Sequence, residues 1–534
     1  MANWIQRIFG GKKKPAPSAG QRMFAAARAD RLTAGWRSAT TSADAESVQS
    51  LVVLRNRARQ LCRDNAHAKR ARAVVVNNVI GQGIGLQAAI TNNRKRRMDE
   101  YNAPIEEAWR EWCRAEHCHI GGSLHFADLE RLVMGEVFEA GDCFIRIHRS
   151  GRGAVPLSLE VIEAERRAEE WEAPSHNGNL VRQGVEVDAY HRPIAYWLHE
   201  FHPGDPRRQL VNNRLIRVPA EDIIHLRVLD RWPQVRGVPW MHAAMSRLNQ
   251  LGEFQEAAVV AARTGAEKVM VLEESESGGL AEALGADSGG ETSTNDGALT
   301  WNSSKGQVDI LPAGTRVADW NPTYPNENFD PFVRSALRDI AAAFGVSYEA
   351  LSRDYSQSNY SSSRLSLLDD RDLWRTLQQW WIRNFRERLH RTWLEAAVLS
   401  RAVSAVPVSS YVAQKAAFES ATWKPRGWSW VDPTKEVNAY KEAVRCGFTT
   451  VSNVIAMTGG GVDLEDVLTE RERELEAMES AGLKFDTDPV AVPEGGQPAA
   501  PKSDQDKPEQ DQTDQPKAED EPRARLVAFR RDHE

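Results

Sequence analysis

Along residues 46–80 the apolar side chains recur at three- and four-residue steps. Leu51, Leu54, Ala58, Leu61 and Cys62 form one stripe, and Arg55, Arg57, Arg59 and Arg63 spread over the rest. That period predicts one amphipathic helix, stopped at Gly81. A second helix is expected from Pro104, behind Asn102 as its cap, burying Ile105, Ala108, Trp109 and Trp112; proline suits a first helical turn, whose N–H groups lack partners anyway. A third, over about 124–140, presents Phe126, Leu129, Leu132, Val133 and Val137 to the core and stops at Gly141.

From 142 to 230 the period changes to two. Cys143–His148, Leu157–Ile162, Val185–Tyr190, Ile194–Phe201 and Ile223–Val228 read as short strands. His176-Asn177-Gly178-Asn179 and His191-Arg192-Pro193 supply turns between them. A long helix over about 240–265 follows, then a strand at Lys268–Leu272, a weakly structured loop over 275–298, and strands at Val308–Leu311 and Arg316–Trp320. A helix over about 328–344 closes that excursion.

Residues 352–363 are almost wholly polar and hold Tyr355 and Tyr360. A very long helix is expected next, over about 363–400, with Leu365, Leu368, Trp374, Leu377, Trp381, Phe385, Leu389 and Trp393 at helical steps. Three short helices follow within 432–482: Asp432 and Pro433 start the first, Gly447 ends it, and Asp463 caps the last. Beyond about 485 hydrophobic residues vanish and Pro, Gln, Asp and Lys rise, the composition of a disordered tail.

Composition adds three constraints. Seventeen Trp suit thick cores and subunit interfaces, because indole carries a large apolar surface and one donor. Five Cys, odd in number and unpaired in spacing, fit a reducing compartment better than a disulfide framework. The net charge of −7 conceals segregation: residues 1–97 carry 19 Lys/Arg against 4 Asp/Glu, and 486–520 carry 3 against 10. The middle, 98–485, carries a net −16, which argues against tight, general binding to phosphates, since that needs surplus Lys and Arg.

Four groups of residues stand out together: Leu54-Arg55, Asn65 and Val79-Ile80-Gly81-Gln82-Gly83-Ile84; Ala341-Ala342-Ala343-Phe344-Gly345-Val346-Ser347-Tyr348-Glu349-Ala350-Leu351; Ser358-Asn359-Tyr360-Ser361-Ser362-Ser363-Arg364; and Asp432-Pro433-Thr434-Lys435-Glu436 with Gly447 and Thr449. Taken together these segments resemble the portal proteins of lambda-type tailed bacteriophages. They occur in the family's order across most of 20–482.

The resemblance implies an α+β, mostly helical portal fold whose subunits close into a ring, commonly a dodecamer, at one capsid vertex. It implies a wing over 46–239 with the β-rich insert 142–230, while composition gives the largely extended arm over 1–45. Stem helices would occupy 240–266 and 328–345, on either side of a clip over 267–327. A tunnel loop would follow over 346–362, then the wing's long helix and return segment over 363–431 and a crown over 432–482; the disordered acidic tail over 483–534 lies outside the resemblance and is read from composition.

The function implied is structural, not enzymatic, and needs no cofactor. Double-stranded DNA would pass the channel inward, driven by the terminase large subunit, and outward on infection. Capsid, scaffold and head–tail joining proteins are further implied partners. The implied location is the portal vertex of the virion, and the host bacterial cytoplasm during assembly. Tyr355, Gln357, Ser358, Asn359 and Tyr360 would line the passage; hydroxyl and amide groups suit a bore through which DNA must slide.

Other chemistry has weaker support in the residues. Gly81-x-Gly83-x-Gly85 lacks the third glycine of a dinucleotide loop, since residue 86 is Leu, and reads as a helix stop. Cys113, His117, Cys118 and His119 are the best metal candidates, Cys113 and His117 sharing a helix face. They lack the two separated ligand pairs of structural zinc sites. A nucleic-acid-acting metalloenzyme built on that cluster is therefore the alternative reading. The nucleotide-binding pattern G-x-x-x-x-G-K-[ST] is absent from the chain. Trp4, Ile5, Ile8 and Phe9 ahead of Lys12-Lys13-Lys14 allow a third reading, a membrane-associated assembly scaffold.

Overall fold

The computed structural model describes residues 40–92, 97–168, 170–171, 173–174, 178–206, 214–266, 271–273, 292–295, 298–301, 309–311, 327–428, 433–458 and 464–483. The arm before residue 40, the expected strand at Arg316–Trp320, the caps Asp432 and Asp463 and the acidic tail lie outside them. The fold is mixed, with long helices and small, mostly antiparallel sheets, in agreement with the α+β expectation.

The single helix expected over 46–80 is three helices: Ala43–Val48, Leu51–Asp64 and Ala66–Val79. Asn65 makes the second break. It takes an extended backbone, and its Oδ1 accepts from His67 N (3.0 Å) and Ala68 N (3.1 Å), capping the next helix. The apolar stripe runs straight across this break, which is why periodicity alone misses it. Gly81 ends the third helix with φ +62°, as expected.

Some of the arginines spread around that stripe are part of the core. Arg55 is 2% exposed and pairs with Glu165 (3.1 Å). Arg59 pairs with Glu136 (2.5 Å) and Glu165 (2.7 Å), and Arg72 with Glu139. Leu132, expected in the core, is 44% exposed. The Phe126–Ala140 helix instead buries Phe126, Leu129, Val133, Met134, Val137 and Phe138. Asn102 does not cap its helix, which already begins at Asp99. It is buried within it, and its amide exchanges two hydrogen bonds with the Ile90 backbone at 3.0 and 3.1 Å.

Two sheets make up the β-rich insert. Ser158–Ile162, Asp142–His148 and Ile223–Arg227 pair antiparallel in that order, with Phe144 opposite both Ile162 and His225. Ala173–Pro174, Leu180–Arg182, Val185–Val187, Pro193–His199 and Leu215–Pro219 form an antiparallel meander. The turn Gln183-Gly184 has φ +45° and +74°, the pair of left-handed residues that matches the twist of a two-residue hairpin. A separate antiparallel pairing joins Gly85–Ala88 to Ala421–Lys424.

Met245–Ala266 and Phe329–Phe344 are the two helices expected on either side of the excursion. Phe254 packs on Phe329 and Phe332 with ring centroids 5.7 and 5.0 Å apart. Within the excursion Val271–Glu273 runs parallel to Asp309–Leu311. The stretch read as a weak loop ends in a strand, Thr292–Asn295, paired antiparallel with Ala298–Trp301.

The expected 363–400 helix begins earlier, at Tyr360, and is interrupted by a π-helical turn at Ile382–Arg386. Trp109, Trp112, Trp381 and Trp393 are all at most 4% exposed and meet around this element; Trp109 and Trp393 pack edge to face at 4.9 Å. The helices Pro433–Arg445 and Val451–Thr458 follow, and Gly447 closes the first with φ +76°. Leu464–Ala481 is a further helix.

Two buried histidines tie stability to pH. Burial first, and then the charge of Arg227, lower the His225 imidazole to about 4; burial and Arg386 do the same to His390. Both are neutral in the folded state, while the unfolded chain takes up protons below their ordinary 6.5. Glu136 works the other way: burial raises it to about 7, so it adds stability that is lost as pH rises from 4.5 to 7. It offsets about one of the two histidines. Acidification from pH 7 to about 5 is therefore expected to lower the calorimetric transition midpoint, at roughly 1.4 kcal/mol per pKa unit of net shift. A midpoint that rises on acidification would show that the histidines are not held neutral.

Candidate functional site

The polar segment expected to project from the fold lies between the Phe329–Phe344 and Tyr360–Trp381 helices, and both of its ends are pinned. Gly345, with φ +65°, closes the first helix, and Val346 N donates back to Ala341 O (3.1 Å). Ser347 then caps a short helix, Tyr348–Ser352, through its Oγ. The same serine donates to Asp370 on the long helix, N–H to Oδ1 at 2.9 Å and O–H to Oδ2 at 2.6 Å. From the other side Arg70 donates to Ala350 O at 3.0 Å, and the Arg338 guanidinium lies 5.5 Å from the Tyr348 ring centroid.

Arg353 turns the chain out with φ +59°. Asp354 holds the turn: its carboxylate accepts from Ser356 N (3.0 Å) and Tyr348 Oη (2.9 Å), with Arg334 at 3.5 Å. The hydrogen bonds from Ser356, then that from Tyr348, keep this carboxyl down at about 2, so it stays ionised.

Of the five residues expected to line a passage, Tyr355 is 61% exposed, and Gln357 is also exposed. Ser358 is half-buried and donates through Oγ to Tyr355 O (3.1 Å). The Asn359 side chain accepts from Ser362 N (2.8 Å) while Ser362 Oγ accepts from Asn359 N (3.2 Å), a reciprocal cap for the long helix. Tyr360 is the first residue of that helix. The polar run thus has two jobs: Tyr355 and Gln357 face outward, and Ser358 and Asn359 stabilise the segment itself. Sequence reading missed Asp354, Ser347 and Asp370, which position the segment; the Ser347-to-Asp370 spacing carries no local signal.

The metal candidates do not converge. Cys113 and Cys118 are buried, and burial pushes both thiols well up, so neither is a ready thiolate ligand. The Cys118 thiol donates to the Cys113 and Leu124 carbonyls at 3.4 Å. His117 Nδ1 lies 3.0 Å from Glu111 O, and His119 Nδ1 accepts from Ser123 N (3.3 Å). Among the described residues no group of three or more His, Cys, Asp or Glu side chains is placed to hold a metal ion. Gly81 and Gly83 lie between a helix end and the strand Gly85–Ala88. A Cβ at Gly81 would meet the Arg426 side chain at 2.9 Å, and the glycine's φ of +62° serves the turn after the helix.

Comparison with known proteins gives the family. The family model described as phage portal protein, lambda family, matches residues 29–378. The probable portal protein of Halomonas phage phiHAP-1 is 29% identical over 473 residues, covering 86% of this chain and 88% of that one. Portal protein B of Escherichia phage lambda is 22% identical over 484 residues, covering 84% and 88%. Among solved structures, a chain in the neck of an empty gene transfer agent particle aligns over 75% of this chain and 93% of its own, at 16% identity and a TM-score of 0.37. The family match takes in both long paired helices and the outward segment with its anchors, so this chain belongs to the lambda family of phage portal proteins.

Proposed function

We propose that copies of this chain close into a ring at one capsid vertex and that double-stranded DNA passes through the ring, inward at packaging and outward at ejection. The chain acts as a structural channel and not as an enzyme. The observation that carries this reading is the portal family match over 29–378. The paired helices Met245–Ala266 and Phe329–Phe344 supply a stem, and they leave Val259, Val260 and Phe332 at 67%, 51% and 54% exposure. Such open apolar positions on neighbouring helices suit packing between adjacent subunits, and a heterologous contact with the right rotation closes into a ring.

Residues 346–362 are proposed as the tunnel loop, with Tyr355 and Gln357 toward the bore and the Asp354 turn holding them in place. The proposed clip over 267–327 is the surface for the terminase motor and later for head–tail joining proteins. Capsid and scaffold proteins meet the ring's outer face. Assembly takes place in the host cytoplasm and ends at the portal vertex of the virion.

Electron microscopy of the purified protein, with mass photometry of the same sample, is expected to show rings with a central hole and a mass near twelve copies. Monomers at every salt concentration, without rings, would count against the reading. The pair Tyr355→Ala and Gln357→Ala is expected to leave ring formation unchanged and to lower the yield of packaged DNA. An unchanged packaging yield would remove those two side chains from the passage.

A further inference from the structure

Among the described residues, none in the helix Leu464–Ala481 is buried, yet its sequence carries an apolar seam. Leu464, Leu468, Arg471, Leu475 and Met478 follow one another at steps of four, three, four and three. That spacing keeps side chains on one stripe, the stripe by which one helix packs against another. Val467 borders it. Leu468 is 57% exposed, Leu475 39% and Val467 38%, so the seam faces solvent. Arg471 leaves the stripe through its ion pair with Glu474 at 3.0 Å. A short helix without a packed face is marginal in water, and exposed pairs such as this one add little to it.

The edges of the seam decide what can cover it. At helical spacing Glu472 and Glu479 border it on one side and Glu474 on the other, and all three are exposed. Over the whole helix seven acids stand against two arginines. A second copy of the same helix brings the same charges. Packed parallel, the two copies would set Glu474 of one against Glu479 of the other; packed antiparallel, they would set like edge against like edge. Both arrangements place acid on acid, and like charges across such a seam repel. Phosphates of nucleic acid or of anionic lipid are repelled for the same reason. Lys or Arg along the edges of a partner helix turns each of these contacts into an attraction.

We propose that this seam is the docking face for an amphipathic helix of another protein, one with leucine-type residues along its own seam and Lys or Arg along its edges. The apolar stripe supplies the contact, and the acidic edges select the partner's charge and exclude self-pairing. Two heptads make a short contact, so the complex forms reversibly. The proposal does not depend on the ring or on the passage of DNA, since it uses one helix of one copy.

The test uses the full-length protein and two labelled helical peptides with leucines along the seam, one carrying lysines and the other glutamates at the edges. Fluorescence anisotropy is expected to show the lysine peptide binding about tenfold more tightly than the glutamate peptide. No binding of the lysine peptide, or equal binding of the two, would overturn the proposal. Leu468→Asp combined with Leu475→Asp removes the apolar seam while adding negative charge, and is expected to weaken the lysine peptide about tenfold. Undiminished binding there would reduce the contact to surface charge and overturn the proposal. Both leucines are exposed, so the variant is expected to fold and to assemble as the parent does, which mass photometry reads. Loss of assembly would assign the seam to contacts between copies and also overturn it. Glu472→Lys combined with Glu479→Lys gives a second reading: the preference is expected to reverse toward the glutamate peptide. An unreversed preference would place the peptide elsewhere on the protein and overturn the proposal.

Discussion

Replacing Glu130 with alanine is expected to cost about 3–5 kcal/mol of folding stability, the range for breaking a buried ion pair from one side. Glu130 is 0% exposed. Its carboxylate accepts from Arg386 Nε (2.6 Å) and Nη2 (2.5 Å), and Trp381 Nε1 donates to it at 3.0 Å. Alanine would leave a guanidinium that is 2% exposed without its counter-charge and an indole N–H without its acceptor. The aromatic faces around Arg386, Phe126 at 4.8 Å and Trp423 at 5.2 Å, soften that loss but cannot replace two charge-assisted hydrogen bonds. Calorimetry at fixed protein concentration checks the outcome, because ring assembly would itself shift the midpoint. Glu130→Gln keeps an acceptor for the indole and is expected to lose less. The pair Glu130→Met with Arg386→Met, which removes both charges, is expected to recover most of the stability. If the single alanine variant melts with the parent, the pair is not buried as described.

The second large effect is expected at Asp142, where alanine should again cost about 3–5 kcal/mol. Asp142 and Arg236 are both 0% exposed. The Arg236 Nη2 donates to Oδ1 at 2.9 Å and its Nε donates to Oδ2, which also receives Gly237 N at 3.3 Å. His225 Nε2 lies 3.3 Å from the same oxygen, and Arg227 donates to its Nδ1 at 2.8 Å. That network assigns the neutral tautomer with its proton on Nε2. Burial opposes ionisation of Asp142, but Arg236 overrides it and holds the carboxyl well below its usual range. Losing the carboxylate would remove the two charge-assisted hydrogen bonds that Arg236 donates to it and take the acceptor from His225 Nε2. The cluster joins the central strand of the three-stranded sheet to the segment leading into the Met245–Ala266 helix. The variant is therefore expected to loosen the base of that helix as well, read as faster amide exchange over 236–248. Exchange unchanged there, with a lowered melting midpoint, would confine the effect to the sheet.

Apolar periodicity made much of the fold legible. It marked the helices at 126–140, 245–266 and 329–344 and the strands at 142–148, 158–162 and 223–227 to within a few residues. A buried face must repeat at 3.6 or 2 residues whatever it packs against. Glycine legibly stopped helices at Gly81, Gly141 and Gly447, because each takes a positive φ. The candidate site was legible as a place: a polar run between two apolar helices has no core to enter, and Tyr355 and Gln357 are exposed accordingly.

What periodicity could not decide depended on partners distant in sequence. Arg55 and Arg59 fall outside the apolar stripe of their helix, yet Glu136 and Glu165, from the Phe126–Ala140 helix and the turn after Ser158–Ile162, draw them inward. Gly85–Ala88 is too short to announce itself as a strand and exists because Ala421–Lys424 pairs with it. The π-helical turn at Ile382–Arg386 is the clearest case. Trp381 and Arg386 are five apart, a spacing that an α-helix turns to different faces and a π-helical turn brings together. Only the single carboxylate of Glu130, arriving from another helix, gives that extra residue a purpose. Which stretches could be helix, strand or exposed loop was set by each segment's own apolar pattern. The tertiary structure alone decided which charged residues are buried and how the outward segment is held, because those outcomes need counter-charges and hydrogen-bond partners from distant parts of the chain.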